Sequence, residues 1–170
     1  MTRAQYFAKL AIVMAWIDEA APRIKLTAVS PPEADLVHYL NEYIDIYCPT
    51  TYDRDKPMWD ARIAEGKEMW YYVCVGPIGP YPNNHYYNRL YEGRLLNWQM
   101  WLYGLRGNLG WSIYHNRHGG YAVGYNGYGD GLFVYYENGE MYDSISWEQV
   151  LDGIEDYEYF WLLNQTLTIS

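Results

Sequence analysis

The alternation of apolar runs along this chain predicts an α/β fold, with an N-terminal helix followed by about four parallel βα units, α(βα)4. Three observations carry that expectation. Stripes with the three-to-four spacing of helices alternate with short apolar runs of strand character. The run Met69 to Val75, MWYYVCV, is almost continuously apolar and aromatic, as strands buried on both faces of a parallel sheet are. Neither a glycine-rich phosphate loop nor a Walker lysine is present, which turns the choice from an open nucleotide-binding sheet towards a (β/α)8 barrel, with long loops after strands that end in aromatics or proline. A complete barrel takes ~250 residues. At 170 residues the chain is therefore expected to be a single domain over residues 1–170, the C-terminal half of a TIM-type barrel lacking its N-terminal half.

Each element has its own signal. Phe7, Leu10, Met14 and Ile17 set a helix over residues 3–20, which Pro22 ends. Ile24 to Val29 reads as the first strand, and a short helix follows from Ser30-Pro31-Pro32-Glu33 through Val37 and Leu40. Tyr43 to Pro49 is the second strand; Lys56 to Gly66 is a helix with Met58, Trp59 and Ile63 inward; Met69 to Val75 is the third strand. After a loop rich in proline and glycine, Tyr87, Tyr91, Leu95, Trp98 and Leu102 form an inward helical stripe. Gly104 stands where the helix should end in a positive φ, and Gly107 to Trp111 resumes as the fourth strand, through Tyr114. Glu137-Asn138-Gly139 signals a small hairpin. Ser146-Trp147-Glu148-Gln149 reads as a capping box for a last helix with Val150, Ile154, Tyr157 and Trp161 inward.

Composition narrows the function. Aromatics make up 19% of the chain, with 21 Tyr and 8 Trp against 3 Phe. Tyr and Trp join a flat apolar face to a polar handle, which suits carbohydrate clefts and also aromatic cores or subunit interfaces. A net charge of −9 argues against nucleic acid, whose phosphates demand clustered Lys and Arg. No apolar stretch reaches the ~18 to 20 residues of a membrane span. Leu10 to Ile17 behind Arg3 and Lys9 imitates a short signal peptide, but Asp18, Glu19 and Pro22 crowd the cleavage position. Cys48 and Cys74 read as small buried hydrophobes, and no His or Cys spacing points to a metal or cofactor.

The string Arg94-x-x-x-Trp98-x-x-Trp101-x-Tyr103-Gly104-x-x-Gly107-x-Leu109-x-Trp111 resembles the C-terminal region of glycoside hydrolase family 123 and its relatives, the domain of unknown function numbered 4091. Asp45 to Pro49, Trp70 to Cys74, Gly129 to Tyr135, Ser144-Ile145 and Asp152 to Tyr159 extend the resemblance in order over nearly the whole chain. It implies a (β/α)8 barrel, secreted or periplasmic, that hydrolyses terminal β-linked N-acetylgalactosamine by substrate assistance. In that scheme an Asp orients the sugar's acetamido group, whose oxygen attacks the anomeric carbon, and a neighbouring Glu protonates the leaving oxygen, an exception to the usual two-carboxylate pattern. The resemblance places that pair before the first strand seen here, so it should lie upstream of Met1.

Asp18-Glu19 is the one dipeptide of that order, but it closes the first helix just before a strand and reads as a solvated helix end. The expected sugar-binding residues are Tyr47 and Trp111, which match family aromatics near the barrel mouth, Trp70 and Tyr72, which share a strand face with Cys74, and Asp130, which stands between two glycines as either a hydroxyl acceptor or a turn residue. His85, His115 and His118 fall in loops and read as surface residues; Glu155, Asp156 and Glu158 read as a solvated or helix-anchoring face. Two functions follow: a glycosidase-type domain acting on N-acetylhexosamine glycans without its own acid, or a non-catalytic half-barrel that binds sugar or assembles. The exposed edges of a half-barrel predict a homo-oligomer or pairing with the missing half.

Overall fold

The computed structural model describes residues 1–29, 33–50, 56–115 and 129–169, and the chain forms two compact units, Met1–Tyr72 and Val73–Ser170. The elements follow the expected α(βα)4 order, with a hairpin inserted before the last helix.

In the first unit, α1 (Arg3–Ala20) begins at a capping box: the Thr2 hydroxyl accepts from the Gln5 N–H and the Gln5 side chain accepts from the Thr2 N–H. Three parallel strands then lie side by side in sequence order, β1 (Thr27–Ala28), β2 (Ile46–Tyr47) and β3 (Glu68–Tyr72), separated by α2 (Ala34–Leu40) and α3 (Lys56–Ala64). Thr27 pairs with Ile46, which in turn pairs with Glu68. The strands are shorter than their apolar runs. Where β1 would extend backwards, the Asp45 carboxylate takes the Leu26 N–H at 2.8 Å, and beyond β2 Pro49 has no N–H to offer. Burial in β3 alternates rather than running continuously: Met69 and Tyr71 are buried with Leu40, Ile44, Tyr47 and Trp59, while Trp70 and Tyr72 are half-buried on the other face. Of the α1 stripe, Phe7 is buried and Ile17 exposed; on α3, Trp59 is buried and Ile63 exposed.

The second unit holds α4 (Tyr91–Leu102), the short strand β4 (Gly107–Leu109), an antiparallel hairpin of β5 (Val134–Glu137) and β6 (Glu140–Asp143), and α5 (Ile145–Ile169). Asn138 and Gly139 turn the hairpin with positive φ, and Gly104 closes α4 at φ +68, as expected. The inward face of α4 differs from the expected stripe. Gly93, Leu96, Asn97 and Met100 are buried, whereas Tyr91, Leu95, Trp98 and Leu102 stay exposed. The reason lies in small residues: a Cβ at Gly153 of α5 would meet Asn97 Nδ2 at 2.5 Å and Arg94 Cα at 3.0 Å, so the two helices touch along a glycine-lined ridge and the bulkier residues flank it. On one flank Asp156 receives Arg94 through two bonds of 2.5 and 2.8 Å and the Trp98 indole N–H at 2.6 Å. Asp156 thus anchors one helix to the other. The α5 cap is also shifted: Ser144, not Ser146, accepts the Trp147 N–H through its hydroxyl, and the helix starts at Ile145.

Candidate functional site

The second unit contains a cleft of about 360 Å³, within the roughly 300 to 1,000 Å³ of small-ligand sites. Local pairing builds it. Ile113 to His115 run antiparallel to Gly131 to Val134, with His115 N–H donating to Gly131 O at 2.7 Å and Phe133 N–H to Ile113 O at 2.9 Å. This brings Asp130 under Trp111, whose indole N–H donates to its carboxylate at 2.8 Å. Gly129 beside it has φ +70, and a Cβ there would run into the Tyr86 ring, so only glycine lets this loop close on the aromatic. The signal Gly-Asp-Gly therefore serves a backbone approach as well as a side-chain role.

Asp130 is 6% exposed. Burial pushes its carboxyl above the usual range, against the opposing pull of the Trp111 bond and of the nearby His85 and His115 rings. Among the described residues no Lys or Arg forms an ion pair with it. Trp111, 38% exposed, presents an aromatic surface beside it, and the His115 ring sits 4.6 Å from the indole. The remaining wall includes Phe133 and Trp147, with the carboxamides of Asn84 and Asn97. An aromatic plate with buried acceptors at its edge can take the apolar face of a sugar ring and the hydroxyls at its rim.

The histidine expectation changes at His85, and His115 is half-buried against Trp111 rather than on the surface. His85 is buried, not on the surface: Nε2 lies 2.6 Å from the Cys74 carbonyl and Nδ1 2.9 Å from the Tyr87 hydroxyl. A carbonyl only accepts, so Nε2 carries the proton and Nδ1 faces the phenol. Asn83, also buried, ties the same loop down through Nδ2 to the carbonyls of Cys74 and Pro77, each at 2.8 Å. His118 lies outside the described residues.

Of the expected sugar-binding residues, the structure brings Trp111 and Asp130 together. Tyr47, Trp70 and Tyr72 belong to the first unit. Tyr47 is fully buried; its hydroxyl donates to Asn41 Oδ1 at 2.8 Å, and burial pushes the phenol up to about 12. Cys48 beside it is buried too, its thiol likewise pushed up to about 12. Trp70 donates its indole N–H to Glu68 at 2.9 Å on the half-buried face it shares with Tyr72. Asp18 and Glu19 stand exposed in the last turn of α1. The residue that sequence reasoning missed is Asn97. Its signal was a carboxamide inside the apolar helix run LLNWQMWL, overlooked because the neighbouring tryptophans suggested a different inward face.

Among curated proteins none matches the chain. Among solved structures it is similar to a family 123 glycoside hydrolase from Clostridium perfringens, studied for the details of glycolipid glycan hydrolysis, with TM-score 0.64 and 18% identity. The match covers 94% of this chain and 30% of that one, a likeness of α/β fold over less than a third of the longer protein. The family model of the glycoside hydrolase 123 catalytic domain matches residues 3–163. The chain therefore belongs to glycoside hydrolase family 123.

Proposed function

We propose that this domain holds a terminal N-acetylhexosamine of a glycan, β-linked N-acetylgalactosamine foremost, for hydrolysis assisted by the sugar's own acetamido group. The observation that carries the reading is the Trp111–Asp130 pair in the cleft, a stacking face with a buried acceptor beside it. Hydroxyls of a sugar stacked on Trp111 are natural donors to the Asp130 carboxylate, and the indole N–H keeps that carboxylate turned towards the ring. The reaction also needs a carboxylate to orient the acetamido group and an acid within hydrogen-bond reach, roughly 3 Å, of the leaving oxygen. Asp18 and Glu19, exposed on a helix end, are poorly suited to either task; we assign both roles to groups outside this pair.

A second reading, a non-catalytic sugar-binding or assembly module, is favoured by the exposed apolar residues of α1 (Ile12, Val13, Trp16) and α5 (Leu162, Leu163, Leu167), which suit a homo-oligomer or an N-terminal half-barrel. Assay of the 170-residue protein on an aryl β-N-acetylgalactosaminide should show no measurable hydrolysis, with N-acetylgalactosamine still bound. Turnover that vanishes in Glu19→Gln would overturn this assignment and make Asp18-Glu19 the catalytic pair.

A further inference from the structure

The cleft wall contains a buried polar side chain that the fold uses through one end. Asn97 is 2% exposed, on the inward ridge of α4, and forms part of the cleft wall. Its carboxamide makes one hydrogen bond among the described residues, from Nδ2 back to the Gly93 carbonyl at 3.2 Å. That bond fixes the amide's orientation, since only the nitrogen can donate to a carbonyl. Nδ2 is also the atom that a Cβ at Gly153 would strike, so the nitrogen is turned to the helix seam and Oδ1 is left without a protein donor.

An amide oxygen in the wall of a cleft is an acceptor that a ligand hydroxyl can use, where an apolar residue at this helix position would offer none. The seam has little slack on the nitrogen side, where Gly153 lies against both Asn97 Nδ2 and the Arg94 backbone. We infer that Asn97 is a specificity residue of the cleft, whose Oδ1 accepts a hydrogen bond from a ring hydroxyl of the bound sugar while Asp130 accepts from another. This rests on the sugar-binding reading of the Trp111–Asp130 cleft and adds to it a second acceptor. Two fixed acceptors on different walls read the positions of two hydroxyls, and therefore distinguish hexosamines that differ at one ring carbon.

The test is a nuclear magnetic resonance titration of the full 170-residue chain with N-acetylgalactosamine and with its C4 epimer, N-acetylglucosamine. In the unaltered protein the Asn97 side-chain amide resonance should shift together with the Trp111 indole resonance as sugar is added. Asn97→Ala should weaken the preferred epimer about tenfold and bring the two affinities to within about twofold of each other. Asn97→Asp, which keeps an acceptor oxygen at the same place, should hold more of the preference. Binding that shifts Trp111 but leaves the Asn97 amide still would overturn the role of Asn97 while sparing the cleft, and so would an unchanged epimer ratio in a folded Asn97→Ala. The unaltered chain's own amide resonance decides the matter even where a variant does not fold. Absence of any sugar-induced shift at Trp111 would instead overturn the sugar-binding reading and this inference with it.

Discussion

Two tryptophan–aspartate pairs in the second unit share one geometry and differ in what surrounds them. At the helix seam, Trp98 donates to Asp156 at 2.6 Å; in the cleft, Trp111 donates to Asp130 at 2.8 Å. Asp156 also holds the Arg94 guanidinium, and that bond, followed by the Trp98 bond, keeps its carboxyl below the usual range. Asp130 has burial where Asp156 has a cation, and its carboxyl is pushed the other way. The same side-chain pair is a cation-bound structural clasp in one place and a buried acceptor at the wall of a cavity in the other. What separates scaffold from site here is the third partner, not the pair.

The comparison is broken most severely through the glycines that allow each pair to form. Gly129→Ala meets both a positive φ and the Tyr86 ring, and should destabilise the second unit by about 2–4 kcal/mol. Gly153→Ala presses on Arg94 and Asn97 across the seam and should cost about 1–3 kcal/mol. Chemical denaturation of the two variants checks the order; a Gly129→Ala protein as stable as the parent would show that the Asp130 loop is not held against Tyr86.

Much of the architecture was legible in the chain because periodicity, turn glycines and helix punctuation are local. The α(βα)4 order, the Asn138-Gly139 turn and the Gly104 helix end all stand where those signals put them. The inward face of α4 was not legible in that way. Large apolar side chains at 91, 98 and 102 dominate any periodicity count, but the helix contact is set by Gly93 and Gly153, sixty residues apart in sequence. For the site, Trp111 and Asp130 were both singled out, yet their meeting depends on the antiparallel pairing of 113–115 with 131–134, which no local pattern announces. The buried His85 was hidden for a similar reason: its partner is the Cys74 carbonyl, a backbone group that a sequence does not display.

A smaller effect sharpens the comparison through pH. Asp156, with its carboxyl lowered in the fold, contributes stability that is present above the ordinary Asp range and lost as pH falls through its depressed value. Asp130, raised by burial, contributes in the opposite sense: the fold is favoured while it holds its proton, and that contribution is lost as pH rises from the ordinary Asp range through the raised value. Asp156→Asn should therefore flatten the acid loss of stability, and Asp130→Asn should remove the decline on the other side, each read from melting temperature against pH. Slopes that change in the same direction in both variants would mean that the two carboxylates do not differ in the way their surroundings indicate.

The most direct measurement compares the two tryptophans as sugar ligands. Titrating N-acetylgalactosamine into the unaltered chain, Trp111→Ala and Trp98→Ala, with the fold of each verified by circular dichroism, separates cleft from seam in one experiment. The account predicts at least a tenfold loss of affinity, about 1.4 kcal/mol, for Trp111→Ala and a change within twofold for Trp98→Ala. Equal affinity in the unaltered chain and Trp111→Ala, or a loss confined to Trp98→Ala, would contradict it.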